Sequence, residues 1–154
     1  MSILAIDPGL SGALAWVSGD GHLIDVQDMP IAKIRDKNRI VAAELAALMR
    51  THIIECVVIE QVSSRPGEGV AGAFAFGYGA GMLEGVAATL GLPVQMFTPA
   101  KWKKAAGVPA DKNGARMLAM RLWPGATEKF KLVKHDGRAE AALLARWAAL
   151  NGAR

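Results

Sequence analysis

The sequence has one cysteine, Cys56, and three histidines, His22, His52 and His135, in 154 residues. A single thiol can form neither an internal disulfide nor a four-cysteine zinc site, and three scattered imidazoles offer no convergent zinc ligand set. Cys56 lies within the apolar run IIECVVIE and reads as a core residue. The chain shows no basic start leading into a secretory segment, and its longest weakly polar stretch, 70–92, is interrupted by Glu84 and crowded with glycine. Secretion and membrane spanning are disfavoured, so a cytoplasmic location and no membrane partner are expected. There is no Walker A motif, and the chain is too short for paired nucleotide-enclosing domains, so no nucleotide cofactor is expected.

With 52% hydrophobic and 21% charged residues, the chain has the material for one packed domain over 1–154. Charge is divided unevenly. Residues 1–100 carry 6 basic and 10 acidic side chains, and residues 101–154 carry 12 basic and 4 acidic. A basic C-terminal third suits an anionic partner such as a polyphosphate backbone, although a solvated surface has the same composition.

Runs 2–7, 12–18 and 21–28 are apolar or alternating, separated by glycine-bearing turns, and predict three strands joined as hairpins. The stripe of Ile40, Ala43, Leu45, Ala47 and Leu48 predicts an amphipathic helix over 38–49 with Asn38 as its cap. The almost uninterrupted run 53–60 predicts a strand covered on both faces. A turn-rich loop at 62–69, a glycine- and alanine-rich helix at 70–90 and a short strand at 94–97 follow. Thr98 and Pro99 then open a short helix, and further helices are expected at 111–122 and 136–150. This order describes an α/β domain, a mixed sheet with helices against it.

Asp7 and Glu60 each close an apolar run, so their carboxylates need an exit to solvent or a cation. If the two strands are parallel neighbours, both acids emerge at one end of the sheet. Asp136 and Glu140 are four apart and share a helical face. Four convergent carboxylates would suit Mg²⁺ or Mn²⁺, and two such ions about 4 Å apart can hydrolyse a phosphodiester. The plainer reading has strand-end acids in surface loops and Asp136 as a helix cap with Glu140 in the first turn. His135 beside them reads as a surface residue or an aid to proton transfer.

The blocks ILAIDPGLSGALAW, VVIEQV, PAKWKKAAGVPADKNGAR and HDGRAEAALLA together resemble the RuvC-type Holliday junction resolvases (crossover junction endodeoxyribonucleases), particularly their shorter phage and prophage members. The resemblance implies a ribonuclease H-like fold with a five-stranded mixed sheet flanked by helices. It also implies a Mg²⁺-dependent homodimer, with Mn²⁺ able to substitute and two ions per site. Such an enzyme would nick four-way junctions or other branched DNA in pairs, leaving 5′-phosphate ends, in the bacterial host cytoplasm if a phage encodes it. Asp7, Glu60 and Glu140 match the family's acids. Where the family has a further acid or histidine this chain has Gly137, so Asp136 or, less directly, His135 must substitute. Ser63 stands where the housekeeping enzymes carry an aromatic wedge.

By the same resemblance Lys101, Lys103, Lys104, Lys112 and Arg116 approach the DNA backbone, and Lys134 and the loop residue Arg65 join them; Lys129, Lys131 and Arg138 continue the basic run. Trp102 is read as a core anchor, with base stacking as the alternative. Phe74, Tyr78 and Met82 lie on one face of a small-residue helix and suit a two-fold interface. The competing readings are a junction-binding protein with a weakened cation site and a broader branched-DNA nuclease.

Overall fold

The computed structural model describes residues 1–63 and 66–153, so Arg65 lies outside the described residues. The main sheet contains β1 (Ser2–Asp7), β2 (Ala13–Ser18), β3 (Leu23–Asp28), β6 (Ile54–Glu60) and β7 (Val94–Phe97) in the order β3-β2-β1-β6-β7. β1, β2 and β3 are antiparallel neighbours, while β6 runs parallel to β1 and β7 parallel to β6. The adjacency expected of the two acid-bearing strands is therefore present, with Ile6 opposite Ile59 immediately before the two carboxylates.

Strand alternation builds two cores. Ile3, Ala5, Ala15, Cys56 and Val58 face one side, under α3 (Pro99–Ala106), α4 (Lys112–Leu122) and α5 (Asp136–Leu150). Leu4, Ile6, Trp16, Val57 and Ile59 face the other, under α1 (Ala42–Met49) and α2 (Val70–Thr89). Because side chains repeat every second residue, Asp7 follows Ala5, and Glu60 follows Val58, onto the α5 side of the sheet. Cys56 is buried and unpaired, as expected. α2 is long and apolar enough by composition to cross a membrane, but its Leu83 and Ala87 are committed to the second core.

One element differs from the sequence reading. The helix expected over 38–49 begins only at Ala42, with Val41 at its cap, and Asn38 caps nothing. Residues Ile31–Ile34 (β4) and Lys37–Ile40 (β5) instead form a separate two-stranded hairpin. Its turn residues Arg35 and Asp36 both take positive φ, 48° and 63°, the handedness that matches the twist of a tight hairpin. The apolar residue at 40 belongs to the hairpin root, which is why it fits the helical stripe without being helical.

Candidate active site

Three of the four expected acids converge. One carboxylate oxygen from each of Asp7, Glu60 and Glu140 lies within 4.8 Å of the others. β1 and β6 deliver the first two from adjacent strand ends, and α5, packed across β1 and β2, delivers the third. They line a cavity of about 730 Å³ whose walls also include Lys103, Lys112 and Asp136. α3 closes one side: the indole N–H of Trp102 donates to Glu60 Oε1 at 2.9 Å, and Lys103 Nζ stands 2.9 Å from Glu140 Oε2 and 3.9 Å from Glu60 Oε1.

Packing like charges together raises their proton affinity. Desolvation, then Glu140 and Glu60, push the Asp7 carboxyl well above its ordinary 3.8, with Lys103 opposing. Desolvation also raises Glu60, against the Trp102 hydrogen bond and the Lys103 charge. The lysine ammonium thus already provides part of the positive charge this oxygen-donor set calls for, and hard carboxylates of this kind fit Mg²⁺ or Mn²⁺.

Asp136 lines the cavity but stands apart from the carboxylate trio, hydrogen-bonded to Lys112. Desolvation raises its pKa, but the Lys112 hydrogen bond and charge outweigh this and hold it below the ordinary value. Gly137 explains the displacement. A Cβ there would come within 2.6 Å of the Ser11 carbonyl oxygen and 3.1 Å of Asp7 Oδ2, so the start of α5 rests directly on the β1–β2 turn. Gly12 closes the same collar, since its own Cβ would overlap the Asp7 carbonyl. His135 is buried rather than superficial; its Nδ1 accepts from the Leu132 N–H at 3.4 Å, and desolvation followed by Arg138 lowers its pKa. It is absent from the cavity wall, whereas Asp136 is part of it.

The basic residues separate into two groups. Arg116, expected on the DNA surface, is only 8% exposed. Its two terminal nitrogens donate to the Phe130 and Lys131 carbonyls and to Asn113, while Nε is buried without a partner among the described residues; the side chain lies on the buried face of α4 with Ala115 and Ala119. Arg138 is locked to both Asp28 oxygens, Lys129 pairs with Asp25, and Lys131 pairs with Glu128, so much of the C-terminal basic run is used internally. Lys101, Lys104, Lys112 and Lys134 are exposed, and Lys103 is partly covered at the acids. Trp102 is completely buried, which removes base stacking. Sequence reading missed its bond to Glu60 and also missed Phe76, which enters the cavity wall from α2.

Among solved structures, this chain is similar to Thermus thermophilus RuvC, with a TM-score of 0.63 and 20% identity over 97% of this chain and 93% of that one. It is also similar to T. thermophilus RuvC in complex with Holliday junction substrate, with a TM-score of 0.59 and 18% identity over the same shares. No family model and no curated protein matches the chain. The likeness establishes the fold: a ribonuclease H-like, five-stranded mixed sheet flanked by helices, as the motif blocks implied.

Two outcomes follow from this crowding. A carboxyl whose pKa is raised on folding stabilises the protein fully below its unfolded value, and that contribution is lost as pH climbs through the folded value. Asp7→Asn should therefore raise the melting temperature of protein held in chelator at neutral pH, with a gain that shrinks as pH falls toward 4; thermal melts across pH check this. Gly137→Ala should destabilise the fold by about 1–3 kcal/mol through overpacking against fixed backbone. Urea unfolding measures it, and an unchanged midpoint would show that α5 can lift off the β1–β2 turn freely.

Proposed function

We propose that this chain is a metal-dependent, structure-specific endonuclease that resolves Holliday junctions or related branched DNA by paired nicks leaving 5′-phosphate ends. The observation that carries the reading is the meeting of Asp7, Glu60 and Glu140 at the ends of two parallel strands, with Lys103 against them, in a cavity large enough for a phosphodiester. The similarity in fold to RuvC, one structure of which holds Holliday junction substrate, supports the choice of DNA as substrate.

In this reading Asp7, Glu60 and Glu140 hold the metal and Asp136 stands by for a second ion. Bound Mg²⁺ or Mn²⁺ would supply activation of water and neutralisation of the leaving 3′ oxygen. Trp102 fixes one oxygen of Glu60 and so leaves the other free of that bond for a metal. Lys103 and Lys112, now paired with Glu140 and Asp136, are positioned to transfer to phosphate oxygens when a backbone enters. Lys101, Lys104 and Lys134 extend the same basic surface. A homodimer fits two symmetric cuts, and α2 offers the surface: Phe74 is 71% and Tyr78 52% exposed, while Met82 turns into the protein's own core.

Purified protein should nick a labelled four-way junction with Mg²⁺ or Mn²⁺ and not with Ca²⁺ or chelator. Asp7→Asn and Glu60→Gln should abolish nicking and retain binding. Trp102→Phe, which removes the N–H donor together with part of a fully buried ring, should weaken metal activation about 10- to 100-fold, the usual effect of losing a ligand's supporting hydrogen bond, with a thermal melt separating this from lost packing. Binding without nicking in either metal would favour the weakened junction-binding protein, and equal cutting of linear duplex would favour a general nuclease. Phe74→Glu should give a monomer by sedimentation and replace paired nicks with single ones; a variant that stays dimeric would remove α2 from the interface.

A further inference from the structure

The β4–β5 hairpin stands outside the main sheet, and its composition is unusual for its half of the chain. Four of the six basic residues in 1–100, namely Lys33, Arg35, Lys37 and Arg39, lie within the ten residues 31–40, with Asp36 as the single acid there. The remaining ninety residues of that half carry Arg50 and Arg65 against nine acids. Residues 31–38 are all exposed, including Ile31 at 41% and Ile34 at 43%. A two-stranded ribbon of like charges, solvated on both faces, is marginal on its own. Its intrahairpin ion pair, Lys33 with Asp36 at 3.9 Å, is exposed and contributes little.

The root, by contrast, is fixed. Ile40 is buried in the second core and packs near Gly79 of α2, Val41 donates to the Pro30 carbonyl at 2.9 Å, and the Arg39 guanidinium lies 5.4 Å from the Tyr78 ring centre. Between this root and α2 runs a groove of about 250 Å³, reaching Gly9 and Leu10 just beyond Asp7. Glu68 and Phe76 line both this groove and the carboxylate cavity, so the two adjoin. The acids therefore have cations on both flanks: the lysines of α3 and α4 on the face of the first core, and the hairpin on the face of the second.

We propose that the β4–β5 hairpin is a second DNA-backbone contact, gripping phosphates of the duplex arm that leaves the cavity on the α2 side. The inference rests on the nuclease reading and extends it. A polyanion crossing the sheet end would pass both flanks, and phosphate at the hairpin would neutralise a cluster of four cations that the protein offsets with one exposed acid, Asp36. Contacts of this kind carry no sequence information; they add affinity and orientation, and each releases counterions.

The experiment is fluorescence anisotropy of a labelled four-way junction in Ca²⁺, over about 50 to 200 mM salt. The triple variant Lys33→Gln, Arg35→Asn, Lys37→Gln removes three charges and keeps a residue that tolerates positive φ at 35. Its slope of log affinity against log salt should be shallower than the parent's by about 2 to 3, near 0.9 per lost phosphate contact. Lys37→Gln alone should lose about one unit of slope, and the double variant Lys33→Arg, Lys37→Arg should keep the parent slope, which guards against a misfolded triple variant. A parent that binds junction with a triple-variant slope equal to its own would overturn the hairpin contact and leave the nuclease reading standing. A parent that binds no DNA at all would bring down the nuclease reading itself. If the triple variant instead changes the sedimentation of DNA-free protein, the hairpin meets a second copy of the chain and the inference is wrong.

Discussion

The structure is organised around an unfavourable contact. Three carboxylates share one end of a sheet, close enough for their oxygens to lie within 4.8 Å, and burial adds desolvation to repulsion. Nothing in that arrangement stabilises the fold, so the rest of the molecule must hold it in place. Both faces of the sheet do so with close-packed aliphatic cores, and Leu4, Ala5 and Ile6 leading to Asp7, like Val57 and Val58 leading to Glu60, are fully buried. Rigid strands fix where the acids begin; Trp102 and Lys103, adjacent on α3, then satisfy them from the side. The cost of this crowding is repulsion and desolvation that positive charge beside the acids relieves, as Lys103 does.

Much of this was readable in the sequence because it follows from period two. An acid closing a buried run must appear at a strand end, and the parity of 5 to 7 and of 58 to 60 puts both acids on one face once the strands are neighbours. Parity could not say how close the last helix comes. Arg116 shows a second limit: counting charge cannot tell a guanidinium aimed at phosphate from one that donates to two backbone carbonyls, although its neighbours Ala115 and Ala119 mark the buried stripe of α4. The hairpin was lost for a third reason. Arg35 and Asp36 lack the glycine that usually announces a tight turn, and each strand is only four residues long, so the helical stripe that begins in earnest at Ala42 absorbed Ile40 and Asn38.

The uneven charge of the chain acquires a different meaning in three dimensions. As a linear count, the C-terminal third is the basic part. In the fold, Arg116, Lys129, Lys131 and Arg138 are occupied by internal carbonyls and acids, and the exposed cations that remain near the cavity come from α3 and α4. The ten-residue hairpin from the acidic half balances them on the opposite face. Net charge over a segment is therefore a poor guide to the field at a site; what matters is which cations the fold leaves unspent, and where.

Gly137 ties these threads together. A side chain at that position would approach Asp7 directly, and an acid there would add a fourth negative group to a trio already short of positive charge. Glycine lets α5 settle onto the β1–β2 turn and brings Glu140, one turn further along, to the trio, where Lys103 reaches it. Asp136, one residue earlier, takes Lys112 of α4 as its partner, and both line the cavity. The departure from the resolvase pattern at one residue therefore replaces a side chain against Asp7 with a lysine–aspartate pair at the cavity wall.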